Sequence, residues 1–152
     1  MAAIKEGQKA PDFTLESDSG EKVTLSRLKG QKVVLFFYPK DMTPGCTIEA
    51  CDFRDNYPKF KKKGVAVFGV SKLNAKSKAK FRDKHKLNYP LLADEDLKVV
   101  TSWGILKDKV MYGKKVKGIE RTTVLIGEDG KIGKIWPKVQ IEGHVEEVLK
   151  AL

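Results

Sequence analysis

The chain is poor in sulfur and imidazole and has no long apolar stretch. Two cysteines and two histidines in 152 residues exclude a disulfide scaffold. A four-ligand zinc site would need both histidines, and His85 and His144 fall in helical or near-helical contexts remote in sequence from the cysteines, where they are expected to be ordinary surface residues. No zinc site is therefore expected. The longest apolar run, Val33-Val34-Leu35-Phe36-Phe37-Tyr38, is far shorter than the ~20 residues of a membrane-spanning helix. The amino-terminal MAAIKEGQKAPDF lacks the apolar stretch of ~7 to 15 residues of a secretory signal, so the expected compartment is the cytoplasm. No repeat, low-complexity segment or Pro/Ser-rich linker interrupts the chain, and residues 1–152 are expected to form a single domain.

What is abundant is charge. Charged residues make up 33% of the chain and apolar ones 41%, enough for one core and too much for disorder. The net charge of +10 comes from lysines spread along the chain, densest at Lys59 to Lys63 and Lys72 to Lys86. No arginine-rich run or zinc-finger spacing accompanies them, so they read as a solvated surface, and nucleic acid is not expected to be the primary partner.

The apolar pattern alternates between two periods. Residues 12–15 and 22–25 flank Ser17-Asp18-Ser19-Gly20 and read as an N-terminal hairpin. The run 33–38, apolar on both faces, suits a central strand covered on each side. From Thr43 the period becomes helical: Cys46, Ala50, Phe53, Tyr57 and Phe60 recur at intervals of four, three, four and three, predicting a helix that ends near Gly64. Strands are expected at 65–70, 90–93, 120–126 and 131–136, the last two around Glu128-Asp129-Gly130. Helices are expected at 75–86, from an Asp94 cap to about Trp103, and at 142–151. The order implies an α/β, thioredoxin-like fold: a mixed central sheet flanked by helices, with an N-terminal hairpin.

Cys46 and Cys51 both lie at the start of the same predicted helix. Four residues separate them, where a thioredoxin-type redox pair has two. With Thr43 as N-cap and Pro44 at the first helical position, Cys46 falls in the first turn. There the unpaired N–H groups and the positive end of the helix dipole favour a thiolate, and with it nucleophilic reactivity. The residues alone leave open the alternative of a small buried hydrophobe. At 100° per residue, Cys51 is rotated about 140° from Cys46, and in an intact helix their Cα atoms stand ~8.6 Å apart. That exceeds the ~7 Å reach of a disulfide, so a bond between them requires the first turns to unwind.

The segment FFYPKDMTPGCTIEACDFRD resembles the active-site segment of peroxiredoxins, in particular the bacterioferritin-comigratory (Q-type) subfamily. The Pro-x-x-x-Thr-x-x-Cys signature falls on Pro39, Thr43 and Cys46, and the second cysteine of the subfamily on Cys51. GQKAPDFTL, FGVS, YPLLADED and ERTTVLIGEDGKI extend the match over nearly the whole chain. The resemblance implies a thiol peroxidase that acts on hydrogen peroxide and organic hydroperoxides. Cys46 would be the peroxidatic cysteine, forming a sulfenic acid, and Cys51 the resolving cysteine, condensing with it to an intramolecular disulfide that a thioredoxin-like reductant opens. It also implies a substrate pocket made by Arg121, the Thr43 hydroxyl and the backbone N–H groups of Gly45 and Cys46, shielded from water by Pro39, in a monomeric protein without metal or other cofactor and without a membrane partner.

A thiol of ordinary pKa, ~8.5, is already a few per cent ionised at pH 7, so complete ionisation gains only about thirtyfold. Donors around the breaking O–O bond are expected to supply most of the remaining acceleration. One departure from the subfamily stands out. Ser77-Lys78 replaces a Ser-His pair before Phe81, a change expected to affect a reductase-docking surface. Two other functions fit part of the sequence: a protein disulfide reductase, against which the four-residue spacer argues, and a basic binding module, whose affinity would fall steeply with salt.

Overall fold

The computed structural model describes residues 3–152; residues 1 and 2 of the expected 1–152 domain lie outside the described residues. In chain order the elements are β1 (Thr14–Ser17), β2 (Lys22–Thr24), a 3-10 turn (Leu25–Leu28), β3 (Lys32–Phe37), α1 (Pro44–Lys62), β4 (Val65–Ser71), α2 (Ala75–His85), β5 (Leu91–Ala93), α3 (Lys98–Ser102), β6 (Leu106–Met111), β7 (Lys114–Ile119), β8 (Thr122–Ile126), β9 (Ile132–Trp136) and α4 (His144–Lys150). Seven strands form one sheet in the order β2-β1-β5-β4-β3-β8-β9. The three central strands β3, β4 and β5 run parallel, while β1, β2, β8 and β9 add antiparallel pairs. This is the thioredoxin-like mixed sheet with helices on both faces and an N-terminal hairpin.

The central position of β3 follows from its composition. Side chains alternate across a strand, so a run that is apolar at every position is buried only if both faces are covered. Val34, Phe36 and Tyr38 face α1, α2 and α4, packing with Phe53, Phe60, Phe81 and Val148. Val33, Leu35 and Phe37 face the other side, with Phe13, Val99, Val100 and Trp103. Phe36 stacks on Phe53 with ring centroids 4.4 Å apart, so the expected stripe on α1 meets β3 directly.

α1 continues through Pro58. Proline has no N–H to give the carbonyl four residues earlier, and here Asn88 Nδ2 donates to that carbonyl, Arg54 O, at 3.2 Å. α3 is shorter than expected. Its N-cap is Leu97 rather than Asp94, although the Asp94 carboxylate accepts from Val99 N at 3.3 Å and Val100 N at 2.9 Å. Leu97 adopts a left-handed φ of 57°, so Glu95 and Asp96 lie in a preceding turn rather than in the first helical turn. The ribbon β6–β7 was not expected. It pairs Leu106 with Ile119 at its base and turns at Tyr112-Gly113, both with positive φ, as a two-residue hairpin turn requires.

The strongest packing constraint in the sheet is at Gly69 in β4, where an added Cβ would lie 2.7 Å from Phe36 Cζ and 2.8 Å from Leu91 Cδ2. Gly69→Ala is expected to lower unfolding stability by roughly 1–3 kcal/mol through overpacking, measured by urea denaturation. Unchanged stability would show that this side of the sheet is loosely packed.

Candidate active site

Strand register brings the site together. β3 and β8 pair with Phe37 opposite Thr122, so Arg121, just before β8, reaches the end of β3 where the chain turns into α1. Val139 N donates to Arg121 O at 2.9 Å and fixes the backbone there. The arginine side chain extends to the helix start. Its Nη2 donates to Cys46 Sγ at 3.3 Å and its Nη1 to Glu49 Oε1 at 2.7 Å. Burial disfavours the guanidinium charge, but Glu49 and the Cys46 sulfur offset this and raise its pKa.

Cys46 is 1% exposed and sits in the first turn of α1, as expected from Thr43 at the N-cap and Pro44 at the first position. The N–H groups of Gly45 and Cys46 precede the first intrahelical bond, from Thr47 N to Thr43 O at 2.9 Å, and belong to the set that a helix leaves without internal partners. Gly45 is tightly flanked: a Cβ there would stand 3.4 Å from both Arg121 Nη2 and Ile141 Cδ1. Thr43 is half-buried and its backbone is extended, but its hydroxyl does not cap the helix. It donates instead to Lys40 O at 3.0 Å. Pro39 is half-buried at the end of β3.

Cys51 lies one and a half turns along the same intact helix, partly exposed, and neither cysteine is in a disulfide. Burial pushes its thiol up from the ordinary range, with Arg54 pulling the other way. The chain around it is tied down: Tyr89 Oη donates to Ala50 O at 2.7 Å and Arg54 Nη1 to His85 O at 2.8 Å.

Two residues escaped the sequence reading. Glu49 lies three residues after Cys46 and four before Phe53, and a glutamate on an otherwise apolar helical stripe was the available signal. It is 1% exposed, and burial pushes its carboxyl up to about 7 against the pull of Arg121. Its second oxygen, Oε2, has no hydrogen-bond partner among the described residues. Ile141, beside Gly45, carried no signal at all.

Two expectations are corrected. His144 is buried rather than on the surface, its Nε2 2.7 Å from Thr123 Oγ1 and its ring edge-on to Trp136 and Phe53. Burial lowers its pKa. Lys78 is no part of a docking surface either. It is 0% exposed, and its Nζ meets Ser71 Oγ at 2.6 Å and both oxygens of Asp41 at 3.4 Å. A helix-start cysteine under a half-buried arginine, on a thioredoxin-like sheet, fits the class of thiol peroxidases.

The comparisons agree. The AhpC/TSA family model matches residues 6–135, and the chain belongs to that family, among peroxiredoxins of the bacterioferritin-comigratory type. It is 53% identical over 150 residues to a putative peroxiredoxin bcp of Coxiella burnetii, covering 99% of each chain. It is 47% identical over 149 residues to peroxiredoxin Bcp of Bacillus subtilis, covering 98% of this chain and 95% of that one. The bacterioferritin comigratory protein of Xanthomonas campestris, solved as trapped intermediate and ligand complexes in a study of alkyl peroxide reduction, superposes with a TM-score of 0.91 at 38% identity, covering 97% of this chain and 96% of that one.

The raised Glu49 has a consequence for stability. Between pH ~4.5 and about 7 the folded protein keeps a proton on Glu49 that the unfolded chain has released. Its contribution to stability therefore falls as pH rises through that window and levels off above it. The shift corresponds to on the order of 3 kcal/mol. Glu49→Gln is expected to lose less stability than the parent between pH 5 and pH 8, by up to that amount, in urea titrations under reducing conditions. An identical pH slope would show that the carboxyl is not held protonated.

Proposed function

We propose that the chain reduces hydroperoxides through a sulfenic acid at Cys46 and an intramolecular disulfide with Cys51. The observation that carries this reading is Arg121 Nη2 at 3.3 Å from a buried Cys46 Sγ in the first turn of a helix. The ionised Cys46 sulfur attacks one oxygen of H–O–O–R. An S–O bond forms as the O–O bond breaks, the sulfur is oxidised by two electrons to S–OH, and RO⁻ leaves and takes up a proton as the alcohol, or as water when R is hydrogen. Arg121, within hydrogen-bond reach of the sulfur, and the N–H groups of Gly45 and Cys46 at the helix start stabilise negative charge as it moves from sulfur to the leaving oxygen. The Thr43 hydroxyl, with its hydrogen directed to Lys40 O, still has acceptor capacity for the peroxide O–H. Pro39 limits water at the pocket mouth.

Cys51 stays protonated at neutral pH, because burial raises its pKa. It is therefore a weak target for direct oxidation and brings the proton that the second step needs. Its sulfur displaces hydroxide from the sulfenic acid, the S–S bond forms as S–O breaks, and hydroxide leaves with that proton as water. Because α1 is continuous from Pro44 through Cys51, its first turns unwind for this step. A thioredoxin-like dithiol then reduces the disulfide, and the positive surface favours an acidic one. The cytoplasm, where such dithiols are kept reduced, is the matching compartment.

Reduced protein treated with one equivalent of hydrogen peroxide is expected to lose two hydrogens in mass and both alkylation sites. Cys51→Ser is expected to gain one oxygen at Cys46. Peroxide consumption by Cys46→Ser at the parent rate would overturn the assignment.

A further inference from the structure

The loop between β3 and α1 is held by a buried knot of polar groups that the peroxidase chemistry leaves unexplained. Its centre is Asp41, 3% exposed and five residues before Cys46. The Asp41 carboxylate accepts from Tyr38 Oη at 2.5 Å, Ser77 Oγ at 2.8 Å and Ser71 Oγ at 3.4 Å, and pairs with Lys78 Nζ. Lys78 in turn donates to Ser71 and lies 5.5 Å from the centre of the Tyr38 ring. The ends of β3 and β4, the first turn of α2 and the loop into α1 thus converge on one carboxylate.

The next residue, Met42, has a left-handed φ of 67°. A side chain in that region is strained and persists only where its surroundings fix it. Here the surroundings are the Asp41 knot on one side and the Thr43 N-cap, with its hydroxyl on Lys40 O, on the other. No member of the knot hydrogen-bonds to Cys46 or Arg121. Its leverage is on the segment that must unwind.

From this arrangement we infer that Asp41 and Lys78 are positioning residues for the second half of the cycle, a latch that holds the strained loop and the first turn of α1 folded and so sets how often Cys46 becomes free to meet Cys51. The inference rests on the proposed Cys46–Cys51 disulfide and adds what controls its rate. A buried ion pair broken on one side destabilises what it held. Loosening the latch therefore raises the population of the unwound start and speeds condensation without touching either sulfur.

The test uses three proteins, the parent, Lys78→Met and the milder Ser77→Ala, each oxidised with one equivalent of hydrogen peroxide. Disulfide formation is followed by acid quench and mass spectrometry, and amide hydrogen exchange is followed at the first turn of α1. Lys78→Met is expected to form the disulfide roughly tenfold faster than the parent, and Ser77→Ala about threefold faster, with first-turn exchange rising by similar factors. Should Lys78→Met not fold, Ser77→Ala decides. A knot that only contributes to global stability would lower the urea midpoint and leave condensation and first-turn exchange at parent rates, which overturns the inference. Failure of the parent to form the disulfide at all would instead overturn the proposed cycle.

Discussion

One guanidinium shared between a sulfur and a buried carboxylate sets the terms for the rest of the structure. Arg121 reaches Cys46 because β8 runs antiparallel beside β3 with Thr122 opposite Phe37, and because α1 begins after the short loop that follows β3. Glu49, one helical turn after Cys46, takes the second nitrogen and fixes the fork of the arginine. The site is therefore a product of sheet register and helix start. Preorganisation of this kind places donors where charge develops, with no reorganisation left for the moment of reaction.

In the proposed cycle the same helix faces two opposed demands. Attack on a peroxide would use the first turn of α1 folded, with Arg121 on the sulfur. Condensation with Cys51 would need that turn undone, since the two sulfurs project about 140° apart on an intact helix. Tyr89 on Ala50 O and Arg54 on His85 O hold the middle of the helix, whereas its start is held through the loop and the Asp41 knot. The fold thus separates a rigid platform from a start whose stability is set locally, the kind of sub-global opening that proteins sustain without unfolding.

Much of this was legible in the sequence where one physical signal dominated. The six-residue apolar run became the central strand, and the four-three-four-three spacing became the face of α1 against it. The helix start was readable from Thr43 and Pro44, although the Thr43 hydroxyl turned to the loop and left the capping to the backbone. Other features were hidden because their signals pointed elsewhere. β6–β7 carries five lysines and two valines and has Tyr112 98% exposed at its tip, so it offers no apolar face to detect, and its turn lacks the usual Asn-Gly or Asp-Gly. Lys78 sits in a lysine-rich helix that reads as solvated, and only the tertiary approach of Asp41 makes its burial tolerable. The proximity of Arg121 to Cys46 spans 75 residues and was suggested only by the family resemblance.

The central claim is that Arg121 acts on the breaking O–O bond and not merely on the charge of the thiol. The direct test compares two reactions of Cys46 in a Cys51→Ser background, with and without Arg121→Gln: oxidation by hydrogen peroxide and alkylation by iodoacetamide. The account predicts that the peroxide rate falls by about a hundredfold or more, as for loss of a preorganised donor, while alkylation falls by no more than about tenfold. Equal losses in the two rates would contradict it and leave the arginine a role only in ionising the sulfur.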